Sequence, residues 1–275
     1  MENDDYQLLD SGDGYKLERF GPYVLSRPCA QAVWNKTLDA SAWQQADASF
    51  CRIDESRWKK TGTLPESWQL QTAQIRFKIA PTEFGHLGIF PEQRPFWKKL
   101  QQIPGQKRVL NLFAYSGGST LAAAKAGHSV CHLDASKGMV SWARENAAIN
   151  GLEDAPIRWI VEDVQKFIDR EIRRNSLYDV IILDPPTFGR GAKGEVFKIE
   201  THIIGLLMRL KQLLSKTPHL LLFSCHTPGF TPIVLENLLK QLFSDLPGTI
   251  HSGEMTLDGP LLIPSGSYAY IDFQS

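Results

Sequence analysis

The segment Lys107-Arg108-Val109-Leu110-Asn111-Leu112-Phe113-Ala114-Tyr115-Ser116-Gly117-Gly118-Ser119-Thr120 most constrains what this chain can become. Val109 to Phe113 is an apolar run that suits a strand. Ser116 to Ser119 turns on a glycine pair, and Thr120 to Ala126 can start a helix. Glycine at such a turn tolerates positive φ and lets a ligand approach the backbone, while the helix start that follows offers free N–H groups. The next strand, His128 to Ser136, ends in Asp134, about 20 residues after the glycines. A carboxylate there is placed to take the two hydroxyls of a ribose. The glycines do not follow G-x-G-x-x-G, so the pairing of turn and acid, and not the turn alone, points to a nucleoside.

Downstream the chain alternates. A helix is expected from Ser136, a plausible N-cap, to Gly151, a plausible C′ residue. A third strand, Ile157 to Val161, ends at Glu162-Asp163, and a helix follows from Val164 to Arg174. The fourth strand, Tyr178 to Leu183, is apolar almost throughout, as a strand covered on both faces should be, and ends at Asp184-Pro185-Pro186. A glycine-rich basic loop, Gly189 to Gly194, precedes a long helix over about Lys198 to Leu214. Leu220 to Cys225 is a fifth strand, Pro232 to Phe243 a helix, and His251 to Leu257 with Tyr268 to Phe273 a closing hairpin. This order predicts an α/β fold: a Rossmann-like, mainly parallel seven-stranded sheet with helices on both faces. Residues 105–275 form that domain.

Residues 1–104 read as a small antiparallel β domain and linker, with short strands between glycine and proline turns from Leu8 to Pro28 and again from Trp58 to Ile79. Its tryptophans, Trp34, Trp43, Trp58 and Trp68, are expected to pack in core and edge positions more than to stack on bases. Phe84 to Leu100 bridges to the glycine turn through a helix, and the lone His86 reads as a hydrogen-bonded structural residue.

With 43% apolar residues in 275, the chain can bury a large core. No apolar run approaches a membrane span. The acidic start, Met1 to Asp5, lacks the apolar or Arg-rich segment of a leader, so a cytoplasmic location is expected. Cys29, Cys51, Cys131 and Cys225 show no C-x-x-C spacing, which argues for free thiols and against a metal site. Thirty basic residues balance thirty acidic ones, so nothing in the overall charge demands nucleic acid. Lys98-Lys99, Lys107-Arg108 and Arg170 to Arg174 are local basic groups that read first as solvated helix faces.

The glycine turn, Asp134, Glu162-Asp163, Asp184-Pro185-Pro186 and Ser224-Cys225-His226 all fall at C-terminal strand ends, where ligands sit in such sheets. Together they resemble a class I S-adenosylmethionine-dependent methyltransferase. They are most similar to bacterial large-subunit ribosomal RNA cytosine-5 methyltransferases, whose N-L-F-x-Y-[ST]-G-G, V-D-x-S, D-P-P-x-F and F-S-C motifs match Asn111 to Gly118, Leu133 to Ser136, Asp184 to Phe188 and Phe223 to Cys225. The resemblance covers roughly Gly85 to the C-terminus. It implies S-adenosyl-L-methionine as cofactor and RNA, ribosomal RNA in particular, as partner, with neither a metal nor a membrane. Asn111, Phe113, Tyr115, Ser116 and Gly117 would line the methionine side. Asp134 would take the ribose hydroxyls and Asp163 would lie near the adenine amino group, with Ala135, Ser136, Glu162, Val164, Asp184 and Pro185 as further cofactor contacts. Phe90 and Gln93 would resemble the family's upstream cofactor contacts. Cys225 would be the nucleophile, and Asp184 the acid that hydrogen-bonds the ring nitrogen.

Two departures stand out. Thr187 replaces the family's lysine in D-P-P-K-F, and no leading RNA-binding domain is expected ahead of the N-terminal sheet, as in a smaller branch whose substrates are not assigned. The Arg190 to Gly194 loop would close over substrate through its basic residues. Two other functions stay open: a base N-methyltransferase using Asp184-Pro185-Pro186 and Phe188, and a non-catalytic cofactor-binding RNA assembly factor. A dinucleotide oxidoreductase fits least, because the glycine spacing fails and the Asp-Pro-Pro run has no role there.

Overall fold

The computed structural model describes residues 4–51, 57–191 and 194–274. They divide into two units, Met1–Pro95 with Thr256–Ser265, and Phe96–Met255 with Gly266–Ser275.

In the first unit, β1 (Tyr6–Gly12), β2 (Tyr15–Phe20) and β3 (Tyr23–Pro28) form an antiparallel meander. Its tight turns use left-handed residues at Asp13, Gly14 and Gly21. A short helix α1 (Ala40–Gln44), capped by Asp39, leads to β4 (Ala48–Cys51) and the edge strand β5 (Arg57–Lys60). The crossover through α1 makes β3 and β4 the one parallel pair of this otherwise antiparallel sheet. β6 (Trp68–Thr72) and β7 (Ile75–Ile79) form a separate hairpin.

All four tryptophan indoles of the unit donate to protein oxygens: Trp34 to Ser11, Trp43 to Asp10, Trp58 to the Thr82 carbonyl and Trp68 to the Phe20 carbonyl. The packing expectation holds for them. Under the sheet, the buried Glu18 carboxylate accepts from Arg27 at 2.8 Å and from the Tyr6 hydroxyl at 2.9 Å. A buried charge is tolerated only when paired in this way.

A 3₁₀ turn at Pro91–Gln93 ends the first unit's main segment, and helix α2 (Arg94–Gln101) carries the chain into the second. Strands and helices then alternate: β8 (Arg108–Leu112), α3 (Gly118–Lys125), β9 (Ser129–Asp134), α4 (Lys137–Ile149), β10 (Ile157–Val161), α5 (Val164–Arg173) and β11 (Val180–Leu183). A hairpin of β12 (Phe188–Arg190) and β13 (Val196–Lys198) comes next. It is followed by α6 (Ile199–Lys211), β14 (Leu220–Cys225), α7 (Pro232–Phe243), β15 (Thr249–Leu257) and β16 (Ile263–Asp272).

The seven strands are ordered β10-β9-β8-β11-β14-β16-β15. They are parallel from β10 to β14, and β16 runs antiparallel beside β14. This is the expected Rossmann-like sheet. The order reverses between β8 and β11, and such a switch point opens a crevice beyond the carboxyl ends of the strands.

Alternation decides which side chains meet which helices. Leu110, Leu112, Ile181, Leu183 and Phe223 pack with Phe167 of α5, Leu207 of α6 and Leu239 of α7. Each such fully buried side chain contributes about 1.5–3 kcal/mol. Asn111 and His132 point the other way, to Thr120 of α3. α4 starts at Ser136, whose hydroxyl accepts from the Met139 N–H. It ends before Gly151, where φ is +67°, so both expected caps are present.

The expected glycine-rich basic loop is in part the β12–β13 hairpin, a pairing that a three-residue strand is too short to announce by periodicity. Ala192 and Lys193 of that loop lie outside the described residues. The following helix begins one residue later than expected and stops at Lys211.

Candidate active site

Register brings the strand ends level. Leu112 pairs with Leu133 and Leu183, Leu183 with Phe223, and Val161 with Asp134. The residues that follow these partners therefore share one end of the sheet, and they form two groups.

The first group is built on the turn after β8. Phe113, Tyr115 and Gly117 have φ of +55°, +50° and +93°. Two of them are not glycine, so the backbone stores strain of the kind that clusters at ligand sites. Neighbouring chain holds it there: the Ala114 N–H donates to the Leu133 carbonyl at 3.0 Å, and the Ser116 carbonyl accepts from the Asn146 side chain at 2.9 Å. A Cβ on Gly118 would lie 2.5 Å from the Trp97 ring, so only glycine fits where α3 starts.

Beneath the turn, buried Asn111 donates to the Thr120 hydroxyl at 2.9 Å, and that hydroxyl stands 2.9 Å from Nδ1 of His132. Thr120 thus bridges Asn111 and His132 in a buried hydrogen-bonded chain beneath the turn. Burial depresses the His132 pKa to about 3, so the ring is neutral.

Asp134 closes this group. Its Oδ2 accepts from the Tyr115 N–H at 2.9 Å and its Oδ1 from the Ser136 N–H at 2.8 Å. Burial raises its pKa, while these two bonds act against the rise. Each oxygen keeps a lone pair for a further donor. A carboxylate fixed in this way beside a turn with no side chain at Gly117 fits the adjacent hydroxyls of a nucleoside.

Ala135 is half-buried and Ser136 exposed. On the next strand end, Glu162 pairs with Arg170 at 2.7 Å, and the Glu162 N–H donates to the Asp134 carbonyl at 3.2 Å. Asp163 caps α5 by accepting from the N–H groups of Gln165 and Lys166. Val164 is buried at the start of α5.

The second group gathers on β11 and β14. Asp184 Oδ1 lies 3.3 Å from Nδ1 of His226. Cys225 is 1% exposed, and its Sγ accepts from the Thr227 N–H at 3.4 Å. Burial pushes the Cys225 thiol pKa up, Asp184 adds to the rise, and Thr227 and His226 oppose it. Pro185 is buried, and Thr187 is exposed with its hydroxyl 2.8 Å from that of Thr227. Phe113 packs its ring 5.2 Å from Phe197 of β13.

Gly266, opposite this group on β16, has a φ of +124°, and a Cβ there would sit 2.9 Å from the Cys225 carbonyl and 3.1 Å from the His226 ring. His226 stands in the strand-end run Ser224-Cys225-His226, but no partner for it is legible there. Thr227 and Gly266 carry no sequence signal at all. Phe90 and Gln93 belong to the first unit, where the Gln93 N–H donates to the Phe90 carbonyl and the Phe90 ring meets His86 at 5.7 Å.

None of the four cysteines is joined in a disulfide. Among the described residues no cluster of His, Cys, Asp or Glu is arranged to hold a metal, and no helix is long and apolar enough to cross a membrane.

A family described as S-adenosylmethionine-dependent methyltransferase matches residues 40–248. The crystal structure of the SAM-dependent methyltransferase from Agrobacterium tumefaciens superposes with a TM-score of 0.93 at 37% identity, over 98% of this chain and 90% of that one. Among curated proteins, the ribosomal RNA large subunit methyltransferase K/L of Shewanella baltica is 35% identical over 53% of this chain and 20% of its own length. That of Shewanella sp. strain MR-4 is 34% identical over 72% of this chain and 27% of its own length. The chain thus spans about a fifth to a quarter of these curated relatives.

Proposed function

Because the chain belongs to the S-adenosylmethionine-dependent methyltransferase family, we propose that it methylates RNA, with ribosomal RNA as substrate and carbon 5 of cytosine as target. Bound S-adenosylmethionine supplies an electrophilic methyl group. On this reading Asp134 holds the ribose, Tyr115 to Gly117 the methionine portion and Glu162 to Val164 the adenine. Phe90 and Gln93 remain cofactor contacts on the resemblance alone.

The observation that carries the target atom is the pairing of Asp184 with His226 next to Cys225. Carbon 5 of cytosine is a weak nucleophile. As the Cys225 sulfur adds to carbon 6, its proton passes by way of Asp184 to the ring nitrogen, and the enamine so formed makes carbon 5 nucleophilic. After methylation the proton on carbon 5 must leave, so that its electron pair re-forms the double bond and expels the sulfur. His226, oriented by Asp184, is the base for that proton, in the way a carboxylate orients a catalytic imidazole. Asp184 also serves the ring nitrogen, returning its proton to the sulfur as the sulfur leaves. The relatives named for ribosomal RNA support the substrate class.

The test is transfer of a labelled methyl group to unmodified ribosomal RNA, with nucleosides identified by mass spectrometry, for the wild type and Cys225→Ala. 5-Methylcytidine that vanishes in the variant supports the reading. Transfer that survives in the variant moves the target to a base nitrogen.

A further inference from the structure

The first unit holds a cavity of about 150 Å³, lined among others by Lys16, Arg27, Phe50, Phe84, His86 and Phe90. Pockets for drug-sized ligands run to about 300–1,000 Å³. A cavity of about 150 Å³ takes one benzene-sized ring. The space is therefore right for a single aromatic ring and too small for a whole nucleotide.

Its wall is a tied turn. The Thr82 N–H donates to the His86 carbonyl at 2.9 Å, and the His86 N–H donates back to the Thr82 hydroxyl at 3.1 Å. The Gly85 carbonyl accepts from Arg27 at 3.2 Å, and a Cβ on Gly85 would strike the Phe50 ring at 2.6 Å. This turn presents Phe84, which is 74% exposed. The backbone that carries this ring is pinned by these bonds, so less order is lost when something stacks on it.

Trp58 of β5 bonds the same turn through the Thr82 carbonyl. β5 is the edge of its sheet and exposes Arg57, Lys59 and Lys60. A stacking ring and a ring-sized slot beside a cationic strand form the combination that binds single-stranded nucleic acid without reading a duplex. Phe84 is the most open ring of this part of the chain: it is exposed, whereas the four tryptophans are half-buried.

We propose that this cavity takes one base of a single-stranded RNA segment, stacked on Phe84, with the adjoining phosphates on β5. The first unit is then the RNA reader. The inference rests on the RNA reading above, and because Phe90 of the lining is also a cofactor contact on the resemblance, cofactor affinity is the control that separates the two uses of the cavity.

The test is binding of a short fluorescein-labelled oligocytidylate to the full chain, followed by fluorescence polarisation over a range of salt. Phe84→Ala should weaken binding about tenfold, the scale of one lost base–aromatic stack. Phe84→Tyr should keep wild-type affinity, and Lys59→Ala with Lys60→Ala should flatten the dependence of log Kd on log salt. Cofactor affinity, measured by calorimetry, and the melting temperature should not move, because Phe84 is exposed. Wild-type RNA affinity in Phe84→Ala overturns the inference, and so does a parallel loss of cofactor affinity, which would give the cavity to the cofactor. Failure of the wild type to bind any RNA sinks the substrate reading itself.

Discussion

Nδ1 of His226 stands 3.3 Å from Oδ1 of Asp184, so the end of β14 is tied to the end of β11 by an imidazole–carboxylate pair. The strands run parallel in register, Leu183 beside Phe223, which sets Asp184 level with Ser224, and the chain beyond β14 brings His226 back to it. The chemistry proposed for Cys225 depends on that pairing.

If His226 takes the carbon 5 proton, His226→Ala should lower turnover by about 10²–10⁴-fold, the usual worth of a general base. Covalent protein–RNA adduct should accumulate, because addition of Cys225 and methylation precede the blocked step. Denaturing gels of labelled RNA would reveal it; normal turnover without adduct would remove His226 from the mechanism. His226→Gln controls for loss of packing.

Cys225 is buried and its thiol pKa is raised, whereas Cys51 is half-buried. Thiolate is the reactive form, so iodoacetamide near neutral pH should label Cys51 first and reach Cys225 only on unfolding. Peptide mapping after brief exposure decides this. Rapid labelling of Cys225 in the free protein would contradict the geometry.

Gly266→Ala combines a φ of +124° with a Cβ 2.9 Å from the Cys225 carbonyl, a backbone atom that cannot swing aside. A strained backbone of this kind costs about 1–3 kcal/mol. Chemical denaturation should register a loss of that size, and activity should fall further than stability, since the same Cβ presses on the His226 ring.

His132 makes stability pH-dependent. Its folded pKa is about 3, because burial disfavours the charged ring, against 6.5 when unfolded. A group depressed by folding contributes its stability above the unfolded pKa and loses it as pH falls. Stability should therefore decline from about pH 6.5 downward by up to about 1.4 kcal/mol per unit, as far as about pH 3. His132→Asn should be less stable near neutral pH but flatter in this window. Identical slopes for the two proteins would assign the acid sensitivity to other groups.

Most of the second unit was legible along the chain. Val180 to Leu183 is apolar without interruption because it is covered on both faces, and the helix after Asp134 carries its caps at Ser136 and Gly151. The glycine turn, Asp134, Asp184 and Cys225 were legible because strand-end residues in a parallel sheet must converge. The β12–β13 hairpin and the parallel pair of β3 and β4 were not, since three- and four-residue strands carry too few positions for a period to register.

Local sequence thus determined the elements, their order and the acids and thiol at the strand ends, because periodicity, capping and turn chemistry act over a few residues. Tertiary structure alone decided that Asp184 meets His226, that Thr120 bridges Asn111 and His132, and that Gly266 leaves room for the His226 ring. Those pairs lie on different strands or helices, and their distances follow from sheet register and close packing, which no short window of sequence contains.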